Sequence, residues 1–439
     1  MSLHHKIWRI AGPLILSNLS VPLLGLVDTA ILGHLESPTY LAAVAVGSSI
    51  LAFFYWGFGF LRMGTTGASA QAWGAADRES QVEVLLQSAS LALGLGLAVL
   101  LIGPWLAPLA VSAMQTPASA RELAVSYLDI RLLSAPAVLL TYVAVGWLIG
   151  QQRARWALVV MVVTNALNIV LDYLLIMGAG LNSDGAAYAS VISEYCGAGI
   201  ALWAVAPPAL RGLPRRQLGR MLASANYRQL LQTNSALFVR TAALLFAFAF
   251  FTAQSAGFGT SVLAANTILL NLLLFTSHGL DGFAHAAEAL AGESAGRRRA
   301  DEFTAVCKAC GQWSLATGAL LSLALLLAQT PIIALMTDLP EVRSSAHEHF
   351  GWLIALPLIS VASYLLDGIF IGTLQTRWMQ YTMLLCVLGI YLPVWQLSQG
   401  LGSHGLWLAF ALFNLARGLS LGLVFLHLQR RQAWWPTTP

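Results

Sequence analysis

The chain has 439 residues, is 58% hydrophobic and only 10% charged, and has a mean hydropathy of +0.72. A soluble domain carries about 25% charged residues, and a surface this poor in polar groups cannot cover a water-facing fold of such length. These values exclude a soluble enzyme and point to an all-α polytopic membrane protein. A sequence pI near 9.0 and a net charge of +4 come from basic residues scattered over several loops and both tails. Nucleic-acid binding needs a concentrated patch instead, so no nucleic-acid partner is expected.

Apolar runs near 20 residues recur from end to end. Twelve transmembrane helices are predicted, at roughly 10–33, 41–70, 82–110, 124–149, 157–180, 185–207, 230–254, 260–290, 304–327, 348–371, 379–398 and 405–427. The runs are continuous and do not alternate, which argues against a β-barrel. The first run continues past Asp28 without a small-residue cleavage site, so no cleaved leader is expected. Lys6 and Arg9, Arg78, Arg153 and Arg155, the arginines between 211 and 228, Arg297 to Arg299, Arg377, and Arg430 and Arg431 fall on alternate loops and the two tails, leaving Arg121 and Arg343 on the opposite side. The positive-inside bias then places both termini in the cytoplasm of a multi-pass bacterial inner-membrane protein. Cys307 and Cys310 form a CxxC at the start of a membrane segment with no second pair; they read as two small helix residues, and no metal site is expected.

The chain reads as a repeat. At an offset of 222 residues, Leu41-Ala-Ala43 meets Leu263-Ala-Ala265, Gln71 meets Glu293, Gly74 meets Gly296, Gly150 meets Gly372, and Arg155-Trp156 meets Arg377-Trp378; at an offset of 220, Gly185 meets Gly405 and Glu194 meets Asn414. Six segments per half return the chain to its starting side, so two pseudo-symmetric bundles of equal orientation are expected: 1–210, a cytoplasmic linker 211–229, and 230–439. Such halves flank a central cavity and suit alternating access. Two bundles in one chain already supply the symmetric pair, so a monomer suffices.

Ionisable residues inside apolar segments are costly and are taken as functional by default. Asp28 lies in the first segment, six residues after Pro22 and three after Gly25, where loss of a helical hydrogen bond at proline permits a hinge. Asn165, Asn168 and Asp172 share one face of the fifth segment by their spacings of three, four and seven. Asp28, Asp172 and Asn168 are the candidate ion-coupling or protonation site. In the second half, Asp281 and Glu288 share a face of the eighth segment with His278 and His285. That stripe reads as the wall of a hydrated substrate cavity, together with Asn165 and with Asp367 of the tenth segment; polar glue between helices is the competing explanation. Arg62 or Arg417 is a possible partner for a membrane acid. No GxxxxGK[ST] is present, so ATP-driven pumping is not expected, and no hydrolase triad or other catalytic set stands on a soluble loop.

The stretches PLLGLVDTAILGHLESPTYLAAVAVG (22–47), FLRMGTTGASAQAWGA (60–75), NALNIVLDYLLIMG (165–178), LDGFAHAAEALAGESAG (280–296) and YLLDGIFIG (364–372) resemble multidrug and toxic compound extrusion transporters, the MATE family, in its DinF branch. Asp-Thr-Ala at 28–30 together with Asn168 and Asp172 is the most specific part of a resemblance that covers nearly the whole chain. It implies a V-shaped molecule of two six-helix bundles that exports organic cations or amphipathic toxins against an inward flow of protons or sodium ions. It implies Asp28 as protonation site on a first helix able to bend, Asn168 and Asp172 in the same network, and Asp281 and Glu288 in the second-half cavity. The expected partners are a small cationic or amphipathic substrate and membrane lipid. No cofactor is expected beyond the coupling ion, H+ or Na+. A sodium-coupled exporter of the same fold, or a flippase of a lipid-linked precursor, are the alternatives.

Overall fold

The computed structural model describes residues 2–33, 35, 37–210, 215–222 and 227–434; the side chains of 21–24, 26, 207–210 and 215–218 also fall outside that description. The described residues are helical throughout, with no strand. In chain order they form α1 (Leu3–Leu32), α2 (Pro38–Gly57), α3 (Phe60–Gly74), α4 (Arg78–Ala113), α5 (Ala118–Leu132), α6 (Ala135–Gly150), α7 (Ala154–Asp172), α8 (Asn182–Leu210), α9 (Arg215–Leu222), α10 (Tyr227–Ala256), α11 (Thr260–Gly296), α12 (Ala300–Leu327), α13 (Gln329–Met336), α14 (Pro340–Gly372), α15 (Thr376–Cys386), α16 (Leu392–Ser398) and α17 (Ser403–Arg431).

Among the described residues, ten helical stretches are long and apolar enough to cross a membrane, and the bent pair α5–α6 makes up to eleven. α1, thirty residues long, precedes them. Only helices satisfy every backbone group inside hydrocarbon, which is why the apolar runs take this form.

Two of the predicted segments hold two helices each: the first remains one membrane-long stretch, Pro38–Gly74, and the second is bent. The run expected over 41–70 is α2 and α3, interrupted beside Gly57 and Gly59, where the chain has little helical preference. The run expected over 124–149 is α5 and α6, which meet at 50°. Pro136 stands in the first turn of α6, where its missing N–H costs nothing, but it prevents α5 from continuing.

The chain forms two compact units. The N-unit comprises Leu16–Leu231, and the C-unit comprises Met1–Ile15 with Gln232–Pro439. The boundary therefore cuts α1, although the sequence repeat sets residues 1–210 together. The first turns of α1 join the C-unit through aromatic packing: Trp8 meets Phe283 edge-on at 5.2 Å and Trp313 at 5.2 Å, and the Trp313 indole donates to His4 Nδ1 at 3.1 Å.

The repeat is visible in how each unit packs. α3 runs along α6 in the N-unit, and α11 along α14 in the C-unit. A Cβ on Gly150 would lie 2.6 Å from the Thr66 carbonyl oxygen, and one on its repeat mate Gly372 would strike the Glu288 carbonyl. Gly146 and Gly368, one turn earlier, are similarly pressed on Arg62 and Ala284. Both units thus use a G-x-x-x-G stripe to bring two helix backbones into contact.

A second shared feature lies in the fifth segment of each half. α7 passes into a π-helical turn, Tyr173–Gly178, and α15 into another, Val387–Tyr391. π turns widen a helix locally and are frequent at functional sites; the first begins at the residue after Asp172.

Candidate functional site

In the N-unit the polar face of α7 turns toward α1 and α8. Asn165 donates to Ser20 Oγ at 3.0 Å, tying α7 to α1. One turn on, Asn168 donates to Ser190 Oγ of α8 at 3.4 Å. One further turn brings Asp172, the last residue of α7, into side-chain contact with Asp28 of α1. Asp172 is 1% exposed and Asn168 3%, while Asp28 is half-buried. Among the described residues, no protein donor reaches Asp28 Oδ1, Asn168 Oδ1 or either oxygen of Asp172.

The structure therefore sets Asp28 against Asp172, with Asn168 one turn earlier on the same helix and bonded to Ser190. Among the described residues, the Asp28–Asp172 contact sets three acceptor oxygens together with no hydrogen offered to them, and Asn168 Oδ1, one turn before Asp172, is a fourth unpaired acceptor. Buried acceptors left this way are costly, and two carboxylates in contact repel, so the arrangement calls for a counter-charge.

A fixed positive charge stands nearby but is already engaged. Arg131 of α5 grips Glu194 of α8 through two parallel hydrogen bonds, at 2.7 and 3.0 Å. Its field reaches Asp28 and Asp172, and it also reaches Tyr55 of α2. The sequence marks Arg131 as a charge inside a segment but does not say that Glu194, 63 residues away, is its partner. Opposite charges inside the fourth and sixth predicted segments were the signal for it.

α1 runs unbroken through Gly25 in this conformation, with Thr29 Oγ1 donating back to the Gly25 carbonyl at 2.7 Å. A Cβ at Gly25 would meet open space. The side chain of the other expected hinge residue, Pro22, lies outside the described residues.

The C-unit separates its acids. Asp281 is half-buried on α11 beside His278. Glu288, two turns on, is buried and meets His285 Nδ1 at 3.2 Å. Asp367 of α14 is held between two buried arginines, Arg240 of α10 and Arg417 of α17, the latter at 2.9 Å. Arg417 also donates to Asn414 Oδ1 at 3.1 Å and lies 5.6 Å from the centre of the Phe413 ring. Asp367 is thus already charge-matched, and Arg240 is a partner that sequence spacing does not disclose. Tyr364, hydrogen-bonded to Ser277 at 2.6 Å, sits within electrostatic reach of Asp281, Asp367 and Arg417.

Comparison with known proteins follows the same outline. The MatE family model matches residues 13–174 and 236–395, one match in each half. The chain is 41% identical over 436 residues to the DNA damage-inducible protein F of Escherichia coli (strain K12), covering 98% of this chain and 94% of that relative. It is 30% identical to the chloroplastic Protein DETOXIFICATION 44 of Arabidopsis thaliana, over 94% of this chain and 80% of the relative. Among solved structures, one described as MATE in the bent conformation superposes with a TM-score of 0.86 at 20% identity, covering 99% of this chain and 96% of that one. Two family matches on two helical halves, a relative similar along nearly its whole length, and a shared fold lead to one conclusion: the chain belongs to the multidrug and toxic compound extrusion family and is a multi-pass efflux transporter of the bacterial inner membrane, not an enzyme.

Proposed function

We propose that the chain exports organic cations or amphipathic xenobiotics in exchange for an inward-moving coupling ion, the proton, and that Asp28 and Asp172 bind that ion. The observation that carries this reading is the contact between two membrane carboxyls whose buried oxygens lack a protein donor among the described residues. A proton placed between them removes the repulsion and supplies the missing hydrogen. When the proton leaves, the pair regains charge and favours a cationic substrate. Proton and substrate then compete, and competition of this kind is sufficient to couple the two fluxes. Asn168 steadies the pair from one turn below, Pro22 and Gly25 give α1 a place to bend, and Asp281 and Glu288 line the second-half cavity. One chain performs the cycle.

Sodium is the second reading, favoured by the donor set. Asp28, Asn168 and Asp172 present hard oxygen ligands only, the kind that alkali and alkaline-earth cations select.

The test is transport of ethidium by the purified protein in liposomes under a pH gradient and, separately, a sodium gradient. Transport driven by pH alone and lost in D28N supports proton antiport at this pair. Export driven only by sodium overturns the proton and keeps the site. Full pH-driven export by D28N removes Asp28 from the coupling mechanism.

A further inference from the structure

We infer that the C-unit carries a binding site for a borderline transition-metal ion of the Zn2+ class, formed by Glu348 and His349 of α14 and His404 of α17, apart from the transport residues. Among the described residues, these side chains place one ligand atom each within 4.8 Å of the others. The two imidazoles stack with centres 4.4 Å apart and planes at 26°, so His404 must turn for its Nε2 to meet an ion held by His349. Two nitrogens and one carboxylate oxygen are a ligand set that zinc accepts, with water completing the coordination, whereas Mg2+ and Ca2+ prefer oxygen alone.

The second observation is at His349. His349 as a whole is 3% exposed, and its Nδ1–H donates to the Ser345 carbonyl at 2.8 Å. That bond fixes the tautomer and leaves Nε2 as a bare lone pair, for which no hydrogen-bond partner is present among the described residues. A histidine that donates one ring N–H to a backbone carbonyl and offers the other nitrogen unprotonated is oriented as metal-binding histidines are. Most buried polar groups are hydrogen-bonded, so the unpaired Nε2 is an acceptor that a bound ion would fill.

His404 explains how the site is held when no ion is bound. The Trp352 indole N–H donates to its Nδ1 at 3.2 Å, so the proton resides on Nε2 and is donated to Glu348 Oε1 at 3.2 Å. This proton occupies the place of the metal. Binding moves it to Nδ1, gives up the Trp352 contact, and leaves Nε2 and the carboxylate to the ion; no net proton is released if His404 is neutral. Glu348 is exposed and His404 half-buried, and His404 stands in the first turn of α17, next to the loop that precedes it. The ligands belong to two helices, so the bound ion joins α14 to α17.

The experiment is calorimetric titration of ZnCl2 into chelator-stripped full-length protein in detergent, with Co2+ absorption spectra in parallel. The expected result is one Zn2+ per chain, a Co2+ spectrum without sulfur charge-transfer bands, and binding weakened in H349A and H404A by more than the 10–100-fold, in round terms, that loss of a supporting group brings. Because H349A removes a buried ring, the exposed variant E348A guards against a folding defect and is also expected to weaken binding. W352F, which frees His404 to change tautomer, is expected to bind about fivefold tighter. Absence of binding, or binding unchanged in H349A and E348A but lost in C307S, overturns the site; unchanged or weaker binding in W352F overturns His404 Nε2 as a ligand.

Discussion

At the scale of single residues, the membrane acids fall into two classes that the sequence does not separate. Among the described residues, Asp28 Oδ1 and both oxygens of Asp172 have no protein donor, whereas Asp367 and Glu194 are gripped by arginines. The difference lies entirely in which helix stands opposite. Breaking a fully buried pair from one side leaves an uncompensated charge, which costs about 3–5 kcal/mol, while replacing both partners by apolar residues is often neutral; the part-buried Arg131–Glu194 pair lies below that range. R131M is therefore expected to lower the melting temperature of the detergent-solubilised protein markedly, and R131M/E194M to recover most of the loss. An equal loss in both variants would show that the two residues stabilise the N-unit independently. Asn168 and Asp172 were legible as one face of one helix, since helical spacing puts residues four apart together. Their junction with Asp28 depends on α1 and α7 lying side by side, which no local pattern encodes.

At the scale of elements, the G-x-x-x-G stripes of α6 and α14 are the clearest link between repeat and packing. The sequence pairs Gly150 with Gly372; the structure shows each pressed on the backbone of the helix beside it. Backbone cannot retreat as a side chain can, so G150V is expected to cost at least the 1–3 kcal/mol or so of an overpacked core and to reduce yield of folded protein. A substitution to alanine is milder but has the same sign. Wild-type stability in G150V would mean that α3 and α6 separate readily. The breaks between α2 and α3 and between α5 and α6 escaped a hydropathy reading because both halves of each run are apolar. The π turn after Asp172 likewise leaves no mark on hydrophobicity.

At the scale of the whole molecule, two units of helices and one membrane-wide sequence bias define the protein. α1 is continuous, yet Met1–Ile15 belong to the C-unit and the rest to the N-unit. A helix shared in this way enters the fold of both, with Trp8 as its aromatic anchor in the C-unit. The proposed orientation rests on lysine and arginine in alternate loops. It predicts that a green fluorescent protein fused after Pro439 fluoresces and that alkaline phosphatase fused at the same point is inactive; the reverse pattern would invert the topology.

The sequence alone determined that the chain is helical, crosses a membrane many times, repeats itself and carries a few expensive charges inside apolar segments. It could do so because hydrocarbon imposes a single requirement, internal satisfaction of the backbone, that composition and run length register directly. Only the tertiary structure decided which charges meet: Asp28 with Asp172, Arg131 with Glu194, Asp367 with Arg240 and Arg417, and His349 with His404. Those pairings join residues distant in the chain, and electrostatic partnership depends on distances of a few ångströms that are set by helix packing, for which the linear pattern carries no coordinate.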